Sequence, residues 1–180
     1  MITVTECNEL PESFDSLFDQ SLEYLDRETT LDWRYMGNPR DAAAKKEKVR
    51  EIYQEHIDAS ESLVVCWEKD GVTIHIGAGS IKPKDDKYIQ WNYGLFGKDA
   101  TGSKSFLHEP EYVRKTAEFV RNTLGMDGYS VSCQKGGSIY DYHFSRANDF
   151  EGFERSGVTY TNPDIAPEVT LAIIRYRYLD

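Results

Sequence analysis

One glycine-rich stretch of the sequence has the form of a loop that could hold a phosphate group. Residues 94 to 110 read GLFGKDATGSKSFLHEP, and they join an apolar, strand-like run to a helical pattern. Backbone N–H groups exposed in such a loop, together with the dipole at the start of a helix, favour an anion. The stretch therefore predicts either a site for a phosphate-bearing ligand or an exposed connection whose small polar residues serve turns.

A nucleoside triphosphate is the less favoured ligand for this loop. Gly97 and the run Gly102–Ser105 miss the P-loop pattern by one residue, because that pattern has lysine directly after its second glycine. A P-loop also follows an early strand and precedes several parallel strands, an order that this chain does not show. The pattern therefore argues against a triphosphate site.

Several histidines could exchange protons. His75, His108 and His143 could each titrate near neutral pH and act as a general base. His56 falls on the apolar face of a predicted helix, which is typical of a packed, hydrogen-bonded histidine. Because no Ser-His-Asp or Cys-His arrangement is recognisable, covalent catalysis is not indicated.

Composition narrows the class of protein and its partners. The chain has 180 residues, 39% of them hydrophobic, and a formal net charge of −10, which predicts one soluble domain over residues 1–180. The negative charge opposes nucleic-acid binding. It is typical of a solubilising surface, although it would also favour a basic substrate. With no apolar run of membrane-spanning length and no secretory pattern at the N-terminus, we expect a cytoplasmic protein that binds no membrane.

The cysteines favour the same compartment. Cys7, Cys66 and Cys133 are odd in number, far apart and outside any CxxC pair. This pattern is typical of unpaired thiols in a reducing compartment and indicates neither a zinc site nor a disulfide.

The periodicity of apolar residues predicts the elements that carry these groups. Residues 2–6 alternate as a strand, a helical face runs from Phe14 to Leu25, and a second helix is predicted to begin at Asn38 and Pro39. Three strand patterns then follow as an antiparallel meander, with a turn at residues 69–71.

In the second half of the chain, helical and strand patterns follow one another. Pro110 opens a third helix that Gly125 closes, the strand YSVSC follows, and a short helix runs from Ser138 to Phe144. Two further strand patterns form a hairpin at the end. The third helix is the crossover that two parallel neighbours require, so the order predicts a mixed, mostly antiparallel sheet of about seven strands with about four helices.

That element order, and above all residues Ile89 to Leu179, resembles the GCN5-related N-acetyltransferase (GNAT) superfamily. Family members join the fourth strand to the third helix by a loop of pattern Arg/Gln-x-x-Gly-x-Gly/Ala that binds the pyrophosphate of coenzyme A. In this sequence the pattern falls on residues 99–104, where Gly102 fits. The segment ANDFEGFERSGV is similar to the family's Leu-Gly-Phe segment.

The resemblance implies a fold, an activity and a site. The fold is an α/β GNAT-like domain, and the activity is transfer of an acetyl group from acetyl-CoA to an amine of a small molecule or protein. The thioester and pantetheine would lie against the backbone of Gly94, Leu95 and Phe96, in a gap where residues 88–96 and 129–133 diverge. Tyr142, with Tyr140 as the alternative, would be the general acid. Pyrophosphate would contact Lys98, Thr101, Gly102, Ser103 and Lys104.

A narrower resemblance supplies a second hypothesis. Small GNAT-like proteins of tailed bacteriophages combine a degraded coenzyme A loop with a preserved later half, and this sequence is similar in that respect. It implies a non-catalytic protein, such as a virion or assembly component, that works through protein contacts, because a fold alone does not certify a function.

Overall fold

The structure is a computed structural model that describes residues 1–28, 33–34, 36–81, 87–98, 109–145 and 152–179. Within these ranges, seven strands and four helices follow one another in the predicted order. The strands are β1 (Ile2–Glu6), β2 (Ser62–Lys69), β3 (Val72–Ile81), β4 (Tyr88–Phe96), β5 (Gly128–Gln134), β6 (Phe153–Thr161) and β7 (Leu171–Tyr178). The helices are α1 (Phe14–Glu28), α2 (Ala42–Asp58), α3 (Pro110–Glu118) and α4 (Ser138–Ser145).

All seven strands belong to one sheet. Its order is β1-β2-β3-β4-β5-β7-β6, and every neighbouring pair is antiparallel except β4 and β5. Helix α3 makes the crossover between these two parallel strands. The predicted mixed α/β fold with a single parallel pair is therefore confirmed.

Each face of the sheet carries its own core. The α3-side core lies under α3 and α4, and the α1-side core lies under α1 and α2. Buried members of the α3-side core include Val65, Trp67, Val120, Tyr129, Ile174 and Tyr176. Buried members of the α1-side core include Phe14, Leu17, Phe18, Tyr53, Ile76 and Leu95.

The turn between β2 and β3 has the predicted position. Asp70 and Gly71 both adopt positive φ, at 51° and 82°, as a two-residue hairpin loop of type I′ requires. Among the described helices, none is both long and apolar enough to cross a bilayer.

Helix α2 begins later than the sequence predicts. Asn38 and Pro39 do not start it, because Asn38 lies at a φ of 55° in a turn. The N-cap is Asp41, whose carboxylate accepts the N–H of Ala44 at 2.8 Å. An Asn–Pro pair suits both a cap and a turn, and the local contacts select the turn.

Helix α3 ends in a wider turn than a regular helix has. Residues Phe119–Thr123 form a π turn, in which Phe119 and Val120 are buried. Gly125 then adopts a φ of 66°, and its role as the predicted C-terminal stop is confirmed. The π turn itself leaves no signal in the apolar periodicity.

Candidate functional site

The sheet opens between β4 and β5. Tyr88–Trp91 of β4 pair with Gly128–Val131 of β5, and no pairing continues beyond them. β4 runs on to Phe96 and β5 to Gln134, so the two parallel strands diverge after Trp91 and Val131. The gap predicted between these segments is present.

A β-bulge lies at the point where the strands part. Ala78 of β3 pairs with Tyr93, and the next residue, Gly79, pairs with Trp91, so Asn92 has no partner in the ladder. A bulge reverses which residues face each side of a sheet. Beyond it, Tyr93 packs with the α1-side core, whereas Trp91 before it packs with the α3-side core.

The bulge sets which backbone groups of β4 face the opening. Gly97 donates its N–H to Ile74 of β3 at 2.9 Å, and in an antiparallel ladder such bonds use every second residue. Gly94 and Phe96 therefore direct their N–H and C=O groups away from β3, towards β5. The Phe96 N–H donates to Ser21 Oγ of α1 at 3.0 Å, so the exposed backbone edge is centred on Gly94.

Leu95 directs its backbone N–H and C=O towards β3, because it lies between Gly94 and Phe96 in the same ladder. Its side chain is 1% exposed and lies in the α1-side core. Ser21, which is itself buried, also places its hydroxyl 2.9 Å from the Phe96 carbonyl oxygen. Helix α1 therefore fixes the end of β4, a contact that sequence reasoning missed because it joins residues remote in the chain.

His75 lies beside the opening on the α3 side of the sheet. Its ring stacks between Trp67 and Phe96, with centroid distances of 4.1 and 4.2 Å. Its Nδ1 is 2.9 Å from the Tyr112 hydroxyl of α3. Burial lowers the pKa of His75 to about 3, so the ring is neutral at physiological pH.

Tyr142 lies on α4 within a group of phenol side chains. It is half-buried, and burial raises its pKa. A negative charge on Tyr142 would raise the pKa of Tyr112 of α3, Tyr129 of β5 and Tyr176 of β7, because the four phenols lie near one another. The structure therefore brings the first candidate acid together with the helix and the strand that border the opening.

His143, next to Tyr142, anchors α4 to the sheet. Its Nδ1 is 2.7 Å from the Tyr176 hydroxyl, and the side chain is 7% exposed. Burial lowers the pKa of His143 to about 4. The neutral ring therefore holds the helix on β7 and is a poor proton acceptor near neutral pH.

Tyr140, the alternative acid, has different surroundings. Its hydroxyl lies 3.0 Å from that of Tyr160 on β6, and its ring stacks on Phe144 at 4.3 Å. The structure thus separates Tyr140 from the group that contains Tyr142.

Most of the predicted pyrophosphate loop lies outside the described residues. This applies to Thr101, Gly102, Ser103 and Lys104, and also to His108. Lys98 is described and exposed, and its N–H donates to Gln20 Oε1 of α1 at 3.2 Å.

The first turn of α3 makes its polar contacts with β1 and β2. Glu109, the N-cap, pairs with Lys69 at 2.5 Å. Glu111 accepts the backbone N–H of Ile2 at 3.0 Å. These carboxylates help to fix the beginning of the crossover helix over the first two strands.

An ion pair joins the segment after α1 to the β6–β7 loop. Arg34, which follows α1, forms an ion pair with Glu168 in the β6–β7 loop. Asn162 holds the same loop by donating to the carbonyl oxygen of Val169 at 2.9 Å.

In the part of the chain that the structure describes, no group of three His, Cys, Asp or Glu side chains is arranged to hold a metal.

Comparison with solved structures identifies the architecture. A chimera of the spermidine N-acetyltransferase SpeG from Vibrio cholerae and hSSAT superimposes with a TM-score of 0.64 at 11% identity, over 98% of this chain and 95% of that chain. The chain has the GNAT fold. An acetyltransferase of the GNAT family from Streptococcus pneumoniae matches with a TM-score of 0.54 at 8% identity, over 100% of both chains.

A third structure with the GNAT fold contains a ligand. The aminoglycoside acetyltransferase AAC(6')-Ib, in complex with coenzyme A and kanamycin, matches with a TM-score of 0.60 at 12% identity, over 99% of this chain and 95% of that chain. No protein-family model and no curated protein matches the sequence. The similarity to these three proteins is therefore a similarity of fold, and the low sequence identity alone would not reveal it.

Proposed function

We propose that this chain is an acyl-CoA-dependent N-acetyltransferase that acts on an amine. The observation that carries the proposal is the opening between β4 and β5, which begins where the bulge at Asn92 ends the pairing with β5. Gly94 directs a backbone donor and acceptor into this opening. An extended ligand that contains amides can add to such an edge in the manner of another strand.

The residues present fit the pantetheine part of acetyl-CoA. Pantetheine is narrow and carries amides, which suit the open backbone N–H and C=O of Gly94, with Leu95 and Phe96 continuing the same strand beside it. We further propose that Lys98, with residues 101–104, holds the pyrophosphate, since cationic side chains and loop amides favour an anion. When bound, acetyl-CoA supplies an acyl group that the amine takes up while it loses one proton and a thiol is formed.

Tyr142 would supply the proton that this exchange requires at sulfur. Burial raises the pKa of Tyr142, so the phenol keeps its proton at neutral pH and can donate it to a leaving thiolate. Solvent then restores the proton on the tyrosine Oη. The amine's surplus proton leaves to solvent, because the neutral rings of His75 and His143 are weak bases.

We propose that the acceptor is a cationic amine of low molecular weight. The names of two of the structures above refer to spermidine and kanamycin, which both carry several amino groups. The net charge of −10 would attract such a compound and raise its rate of encounter.

The non-catalytic hypothesis is less well supported. Each of the three structures named above is an acetyltransferase by its name, and none of those three is named as a virion or assembly protein. In addition, a half-buried, protonated Tyr142 can donate a proton to a leaving thiolate, a role that a non-catalytic protein does not need.

Thermal melting with acetyl-CoA tests the proposal. A ligand at a hundred times its dissociation constant adds about 2.7 kcal/mol to the free energy of unfolding, and we expect a matching rise in melting temperature. ATP, which lacks pantetheine, is the control and should cause a much smaller shift. No shift with millimolar acetyl-CoA would reject the enzyme hypothesis.

Substitution of the tyrosines then tests the proposed acid. Tyr142→Phe should lower the turnover of an amine substrate about 100-fold or more, the usual worth of a general acid, while leaving the acetyl-CoA shift intact. Tyr140→Phe is the matched control and should retain turnover within a few-fold. Full activity in Tyr142→Phe would exclude this residue from the acid role.

A further inference from the structure

His75 is held in a fixed orientation from three directions. Its ring lies nearly parallel to those of Trp67 and Phe96, at interplanar angles of 15° and 18°. Its Nδ1 is 2.9 Å from the Tyr112 hydroxyl. The side chain is 8% exposed, so the direction of the second nitrogen, Nε2, is set by the packing.

Nε2 lies over two glycines beside the opening. It lies 3.2 Å from the position that a Cβ on Gly94 would occupy, and 3.4 Å from that of a Cβ on Gly77, the residue paired with Gly94. Across the described residues, no hydrogen bond to Nε2 is found. This nitrogen therefore has no hydrogen-bond partner within the described residues, and the Phe96 ring, 2.8 Å from the same Cβ position on Gly94, borders it.

We propose that Nε2 of His75 donates a hydrogen bond to the acyl carbonyl oxygen of the thioester substrate beside Gly94. This inference rests on the proposed function and adds a catalytic residue to it. The only bonds that form and break are those of the acyl transfer itself. As the amine nitrogen bonds to the acyl carbon, the carbonyl π pair moves to oxygen, and it returns when the carbon–sulfur bond breaks.

The surroundings favour a neutral donor over a base. The pKa of about 3 leaves His75 uncharged near neutral pH. Such a weak base is a poor proton acceptor, so His75 is better suited to donating a hydrogen bond than to general-base catalysis. Burial raises the pKa of Tyr112, so that phenol keeps its proton and can donate it to Nδ1. The ring proton then resides on Nε2, and His75 stabilises charge on oxygen without a net transfer of its own proton.

Nitrogen-15 NMR measures the tautomer and the contact without requiring turnover. In the ligand-free protein we expect Nε2 protonated and Nδ1 unprotonated. The methyl-ketone analogue of acetyl-CoA, which cannot transfer its acyl group, should shift the Nε2 resonance, whereas coenzyme A, which has no acyl carbonyl, should leave it nearly unchanged. A protonated Nδ1, or identical responses to both ligands, would overturn the inference.

Three variants connect the contact to catalysis. His75→Phe keeps a ring between Trp67 and Phe96 and removes the donor, so turnover should fall about 100-fold with little change in KM for acetyl-CoA. His75→Gln retains an N–H near the Nε2 position and should recover activity to within about tenfold of the wild type. Tyr112→Phe controls for the lost contact to Nδ1 and should reduce turnover far less than His75→Phe.

The outcomes separate this inference from the proposed function. Turnover in the wild type together with undiminished turnover in His75→Phe would overturn the role of His75 and leave the acetyltransferase intact. An acetyl-CoA shift that is absent from the wild type would remove both. If His75→Phe unfolds, the NMR comparison of the two ligands decides the question in the wild-type protein.

Discussion

Burial determines the protonation state of the two histidines on the α3 side of the sheet. His75 and His143 are each hydrogen-bonded through Nδ1 to a tyrosine hydroxyl and shielded by aromatic rings. Desolvation disfavours the charged imidazolium, and the pKa of each ring falls below its usual value. Both residues therefore serve as neutral hydrogen-bonding groups.

The same burial predicts a stability that depends on pH. Below about pH 6.5 the unfolded chain protonates both histidines, whereas folded His143 stays neutral to about 4 and folded His75 to about 3. The unfolded state then binds more protons, so the free energy of unfolding should decrease as pH falls from 6.5 to 4.5. The decrease is about 1.4 kcal/mol per pH unit for each histidine, and urea titrations at several pH values measure it.

Single variants resolve this pH effect by residue. His143→Gln should reduce the dependence of the free energy of unfolding on pH by the contribution of one histidine, and His75→Gln should reduce it by a similar amount. A wild-type stability that is flat between pH 6 and 4.5 would contradict the assignment of both rings as buried and neutral.

At the scale of elements, β4 acts as a strand with two parts. Before Asn92 it is a central strand paired on both sides, and beyond Asn92 its β5-facing edge is open. Asparagine is depleted in strand interiors, so its presence there is the one sequence signal for the bulge. Helix α1 closes the end of the open edge through Ser21.

The contact between α1 and β4 gives a prediction for Ser21. Ser21→Ala leaves the Phe96 N–H without its acceptor, and we expect a loss of about 1–3 kcal/mol in the free energy of unfolding. Hydrogen exchange at Phe96 should also accelerate. Ser16→Ala, at an exposed position of the same helix, is the control and should change stability by less than about 0.5 kcal/mol.

Equal losses in the two serine variants would contradict this account. They would mean that Ser21 contributes only its helical propensity, and that the end of β4 is fixed by other contacts.

At the scale of the whole molecule, one sheet joins two cores. The α3-side and α1-side cores share strands β2, β3 and β4, so neither can lose its structure without exposing the other. The opening between β4 and β5 lies within this sheet. A rigid sheet on both sides lets the backbone at Gly94 be held in place before a ligand arrives, which reduces the cost of binding.

The shared sheet predicts that residues 1–180 unfold as one unit. Ile76→Val in the α1-side core and Ile174→Val in the α3-side core should each cost about 0.5–1.5 kcal/mol. Their strands are three positions apart, roughly 14 Å, so the double variant should show the sum of the two losses. Far-UV circular dichroism and tryptophan fluorescence should report the same single transition in each variant.

Two separate transitions, or a core variant that shifts only one probe, would show that the two halves unfold independently. In that case the expectation of a single domain would fail, while the GNAT fold would remain.

The sequence by itself determined the order and type of the elements, because apolar periodicity and turn residues act over short distances. The Asp70–Gly71 turn, the crossover through α3 and the stop at Gly125 were all predictable in this way. The start of α2 was not, because Asn38 suits a turn as well as a cap. Only the tertiary structure decided the bulge at Asn92, the backbone direction at Gly94 and the orientation of His75, because strand register and burial depend on residues that are far apart in the chain.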